Sequence, residues 1–187
     1  MQAAGTVHRD DLKFVMDKKK EAVQREAAPI VEAVKKLRSA GGDASLEFRL
    51  HDGTNVIVDT DGSSVSIDIV AYIEWGAVTT GMTIGDILRG KLESPNVAEI
   101  TTYISDVRGV RIGETPPRFR TLLLEVARQL TGKKVVTTWV KDVGYKYGRG
   151  AEEGKGRDVP RETRLVQDKM KAHPGALVVL LTGHLKK

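Results

Sequence analysis

Apolar residues between Leu12 and Leu37 recur at three- and four-residue spacing: Leu12, Val15, Met16, Val23, Ala27, Ile30, Val34 and Leu37. That period predicts a helix from Asp10 or Asp11 to about Ser39, with residues 1–9 as a loose leader. Pro29 lies inside the run, removes a backbone donor, and predicts a kink or a break. Gly41-Gly42 ends the helix. The period then changes to two. Leu46, Phe48 and Leu50 alternate with Glu47 and Arg49, and strands follow over Asn55 to Thr60 and Val65 to Ile73. Asp52-Gly53 and Asp61-Gly62 mark hairpin turns between them. The simplest arrangement is an antiparallel meander whose apolar face is covered by the N-terminal helix.

Beyond Ile73 the pattern loosens. Four glycines fall between Gly76 and Gly90, and the segment 77–115 reads as a long insertion. Within it, Ser94-Pro95 resembles a helix start. Val97, Ile100, Ile104 and Val107 form a narrow stripe, so the expectation is at least one short helix. Thr115-Pro116-Pro117 opens a second amphipathic helix, buried through Phe119, Leu122, Leu123, Val126 and Leu130 and ended by Thr131-Gly132. Val135 to Val140 reads as a β-branched strand. A charged, Gly-rich loop covers 144–157. Asp158 and Pro160 start a helix to about Ala172, and Ala176 to Leu181 is a buried strand. The fold class expected is α+β: an antiparallel sheet against a long N-terminal helix and a second amphipathic helix, with extended loops. Residues 10–187 are read as a single domain.

Composition narrows the function classes. Hydrophobic content of 40% with 29% charged residues is that of a soluble globular chain. No apolar run approaches the roughly 20 residues that span a bilayer, and the N-terminus lacks a signal-peptide pattern. The absence of cysteine excludes disulfides, thiolate catalysis and Cys-based zinc sites. The net charge of +5 is uneven. Residues 1–132 hold 17 Lys/Arg and 19 Asp/Glu, whereas 133–187 hold 13 and 6. A basic C-terminal third is read either as a solvated face or as a surface for an acidic partner.

Candidate chemistry is sparse. His8, His51, His173 and His184 lack metal-pair spacing. The pairs Asp10-Asp11 and Glu152-Glu153 fit helix capping and a polar loop, not two carboxylates with separated environments. Gly148, Gly150, Gly154 and Gly156 do not form a phosphate-binding spacing. No cofactor or catalytic residue is expected, and the chain is read as a non-enzyme. Two groups of residues remain. Tyr72, Glu74 and Trp75 close the strand before Gly76, and Trp75 is read either as an interface anchor or as a core tryptophan. Tyr145, Lys146, Tyr147 and Arg149 interleave aromatic and basic residues. They suit a subunit arm or, with Lys155 and Arg157, a nucleic-acid contact within a module at 133–171.

The motif Tyr72-Ile73-Glu74-Trp75-Gly76, followed by Pro116-Pro117-Arg118-Phe119 at a helix start, resembles the tail-completion or minor tail (neck) proteins of long-tailed bacteriophages. The resemblance covers about residues 10–132. Gly41-Gly42-Asp43 departs from the family's proline- and threonine-containing segment after the first helix. What the resemblance implies is a structural virion protein, made in the host cytoplasm. It would form a homo-oligomeric ring at the neck or head-proximal end of the tail, joining tail to head connector. Interface residues would be Tyr72, Glu74, Trp75, Phe119, Tyr145, Tyr147 and Arg149. Partners would be neighbouring tail-tube or connector proteins, and DNA in the channel.

Overall fold

The protein is described here by a computed structural model covering residues 9–61, 63–73, 76–105, 117–140 and 158–182. Helix α1 spans Arg9–Ala40 with Pro29 inside it, so of the kink or break expected at the proline, the break does not occur. Strands β1 (Ala44–Arg49), β2 (Asn55–Asp61) and β3 (Ser64–Ile73) follow as the predicted meander, each antiparallel to the next.

The meander then continues where an insertion with a short helix was expected. Strand β4 (Gly76–Ile87) pairs with β3, and β5 (Leu92–Ser105) pairs with β4, both antiparallel. The helix-like stripe was a coincidence of spacing. On β5, Val97 and Ala98 are both fully buried although they point to opposite faces. A strand buried on both faces loses its two-residue alternation and matches a helical template by accident. Gly85, at φ 95°, sits where the β4–β5 register shifts between Ile84 and Asp86. A side chain there would also press on the Ser63 carbonyl.

Helix α2 (Pro117–Thr131), strand β6 (Val135–Trp139), helix α3 (Val159–Ala172) and strand β7 (Leu177–Leu181) complete the described chain. Asp158 caps α3, its carboxylate accepting from the Arg161 backbone N–H at 3.1 Å. The seven strands form one sheet in the order β1-β2-β3-β4-β5-β7-β6, with β7 parallel to both β5 and β6. The fold is therefore α+β, with a mostly antiparallel sheet.

The two faces differ. On one, Val56, Val58, Val65, Ile67, Ile69, Met82, Ile84, Ala98, Ile100, Leu177 and Val179 meet Ile30 and Val34 of α1 and Leu122, Leu123 and Val126 of α2. This is the main core. On the other, Val97, Val178 and Leu180 meet Val166 of α3, so α3 covers only the β5-β7-β6 end. No described helix is long and apolar enough to cross a membrane.

Candidate functional site

The residues singled out by the sequence fall in three places. Ile73 pairs with Gly76, and Tyr72 pairs through its backbone with Ala77, so the Tyr72–Gly76 motif joins two adjacent antiparallel strands. Glu74 and Trp75 lie outside the described residues, as do Tyr145, Lys146, Tyr147, Arg149, Lys155 and Arg157. Phe119 is 4% exposed and packs in the main core. Its side chain is therefore a core element and not the surface anchor expected, because the helical face it shares with Leu122, Leu123 and Val126 is turned inward.

Its neighbour Arg118 does reach the surface. The guanidinium donates to the Asp52 carboxylate in the β1–β2 turn, tying the head of α2 to the sheet's first hairpin. Asp52 also accepts from the Thr54 N–H at 2.9 Å. Burial pushes the Asp52 carboxyl up, but hydrogen bonds from Thr54 and the Arg118 charge outweigh it and hold the group below the usual carboxylate range.

The sequence reading passed over Trp139. It is 40% exposed and is the one large exposed hydrophobic side chain among the described residues. It closes β6, which is the edge of the sheet. The Arg120 guanidinium lies 4.6 Å from the centroid of its ring. A cation over an indole face at a strand edge is a composition favoured at protein contacts. In the sequence, Trp139 looks like the last residue of a buried β-branched run, and only its edge position exposes it.

The face of β1–β4 opposite α1 and α2 carries polar residues with no described helix over it. Three registers cross it from β1 to β4: Ser45, Asp59, Ser66, Thr83; Glu47, Ile57, Asp68, Gly81; and Arg49, Asn55, Val70, Thr79, of which the last three are buried. Asp59 and Asp68 are diagonal neighbours. Burial pushes the Asp68 carboxyl up, and the nearby Asp59 charge pushes it further. Glu99 is buried and accepts from the Leu88 N–H at 2.8 Å.

At the hairpin ends, Asp61, Ser63, Ser64, Gly85, Asp86, Glu93, Ser94 and Pro95 line a shallow cleft of about 430 Å³. Its polar groups serve the turns. Asp61 accepts from Ser64, Asp86 accepts from the Gly90 N–H at 2.9 Å, and Ser94 accepts from the Asn96 N–H at 3.2 Å. Among the described residues no group of three or more His, Cys, Asp or Glu could hold a metal ion. His173 closes α3, its N–H donating to the Lys169 carbonyl at 3.0 Å, which is a structural role.

Charge is more sharply divided than the halves of the sequence indicated. Residues 44–105, which contain β1–β5, hold 3 Lys/Arg and 9 Asp/Glu, a net of −6. The remainder of the chain holds 27 and 16, a net of +11. Comparison with protein-family models, with curated proteins and with solved structures finds no match for this chain.

Proposed function

We propose that this chain is a structural subunit of a bacteriophage virion, forming a ring at the neck or head-proximal end of the tail and joining tail to head connector. The observation that carries this reading is the unlike character of the two ends of the sheet. The β1–β4 end is acidic and has no described helix over one face, and the β6 end presents Trp139 under Arg120. Unlike ends suit a head-to-tail contact, which closes into a ring when the rotation between neighbours permits. The resemblance of the Tyr72–Gly76 and Pro116–Phe119 motifs to neck proteins points the same way. Both motifs take structural positions, one joining β3 to β4 and the other opening α2.

A second reading is a nucleic-acid-binding module within 133–171. It is favoured by Arg161, Arg164 and Lys171, all exposed on α3. Light scattering and negative-stain electron microscopy, with and without a short DNA duplex, separate the two. A discrete closed multimer indifferent to DNA upholds the ring. A monomer that binds DNA, and releases it with the steep salt dependence of phosphate contacts, overturns the ring in favour of the module.

A further inference from the structure

On the sheet face that carries α3, the helix covers β5, β7 and β6 and stops there. No described helix lies over the neighbouring surface of β1–β4, where Asn55, Val70 and Thr79 are buried and Glu47 and Asp59 are exposed. A polar sheet face can simply meet water. This one has a more specific character. Glu47 and Asp59 are exposed on it, and Asp68 is half-buried beside Asp59. No described cation neutralises the Asp59–Asp68 pair. Arg49, the one cation on the described face of these strands, donates to Asn55 at 3.1 Å. Two carboxylates held together without a counter-charge raise the free energy of the isolated chain.

The complementary surface lies on the same molecule. The outer side of α3 exposes Arg161, Arg164, Gln167, Asp168 and Lys171, an excess of cations on one ridge. Within one chain this ridge lies over β6 and β7 and not over the acidic strands. Between two copies the ridge of one can meet the acidic strands of the other. We infer that the basic outer side of α3 docks on the acidic patch of β1–β3 of another copy of this chain. Arg161 and Arg164 would lie against Glu47, Asp59 and Asp68. The contact joins two different patches, so it repeats from copy to copy in a ring, or is made twice in a closed dimer. This inference rests on the ring reading for its geometry and adds to it the surfaces that meet.

The test is a charge exchange in the full-length chain, followed by sedimentation velocity at low and high salt. One variant carries Glu47→Lys and Asp59→Lys; the other carries Arg161→Glu and Arg164→Glu. All four side chains are exposed, and circular dichroism with a thermal melt checks that each variant folds. Neutral Glu47→Gln with Asp59→Asn serves if the lysine pair does not. Self-association of the parent should weaken with salt, and each variant alone should associate about tenfold or more weakly. An equimolar mixture of the two should recover it, because each reversed patch then meets its reversed partner.

Association that survives in both variants, or a mixture that stays monomeric, overturns the pairing. A ring of unchanged mass in both variants overturns the pairing and leaves the ring standing. A closed dimer lost in each variant and restored in the mixture upholds the pairing and overturns the ring. A parent chain that is monomeric throughout overturns both. If that monomer binds a DNA duplex and loses it with Arg161→Glu and Arg164→Glu, the ridge serves nucleic acid instead.

Discussion

The Asp68 carboxylate occupies the space that a side chain at Gly81 would fill. The two residues are directly opposite on β3 and β4, and a methyl carbon built on Gly81 would overlap Asp68 Oδ1. Glycine inside a strand ordinarily weakens it, since it has no side chain to pack and more backbone entropy to lose. Here it is what allows an acid to lie flat on the sheet. Gly81→Ala should therefore force the Asp68 carboxylate, the far end of a flexible side chain, to swing aside, cancelling the small gain that alanine gives in an open strand at a cost of about 1 kcal/mol or less. The cost should largely vanish in an Asp68→Ala background. Urea denaturation of the two single variants and the double variant measures this coupling directly.

The same carboxylate gives a pH dependence of defined sign. Burial and Asp59 raise the Asp68 pKa in the folded chain above its ordinary 3.8. A carboxyl raised by folding favours the native state below its unfolded pKa and loses that contribution as pH rises through the folded value. Asp68→Asn should therefore be more stable than the parent at neutral pH, and the difference should close as the pH falls below about 3.8. Asp59→Asn should lower the Asp68 value without restoring it fully, because burial is the larger cause. Denaturation midpoints across this range, with the Asp68 titration followed by NMR, check both statements. A parent more stable than Asp68→Asn at pH 7 would contradict them.

Much of this fold is legible in the sequence, for reasons that particular residues make plain. Helices α1, α2 and α3 each bury a single stripe, so Ile30 and Val34, Leu122 and Val126, and Val166 stand at helical spacing. Strands β2 and β3 alternate over 56–61 and 64–69, and among their described residues only Asn55 and Val70 are buried on the other face. Strands β4 and β5 were missed because their local signals conflict. Gly81 and Gly85 look like breaks, yet one makes room for Asp68 and the other sits at the register shift. The insertion of β7 between β5 and β6 is not written in any local pattern, since a strand carries no label for its neighbours. The acidic face was hidden for the same reason. Asp59 and Asp68 are nine positions apart and become neighbours only through the β2–β3 register.

Phe119 gives a prediction that separates core from surface. Its ring is 4% exposed and lies with Leu122 and Leu123 between α2 and the rest of the main core. Phe119→Ala should cost about 3–5 kcal/mol, the range for a buried phenylalanine, and should lower the thermal midpoint of the monomer. A residue acting as an interface anchor would instead leave the monomer stable and weaken assembly. Thermal melts at a concentration low enough to keep the chain monomeric distinguish the two.

Trp139 should behave in the opposite way. It is 40% exposed, and its clearest partner is Arg120, 4.6 Å from the ring centroid. An exposed cation–π contact is worth about 0.5–1 kcal/mol, so neither Trp139→Ala nor Arg120→Ala should shift the denaturation midpoint far. Arg120→Ala should still change the environment of the indole and alter its fluorescence. If the β6 edge takes part in the contact between copies, Trp139→Ala should weaken self-association well beyond its effect on stability. A buried, solvent-excluded tryptophan is where binding energy concentrates. Sedimentation velocity read beside the denaturation curve decides the matter. Equal small effects on both would make Trp139 a solvated edge residue and move the contact away from β6.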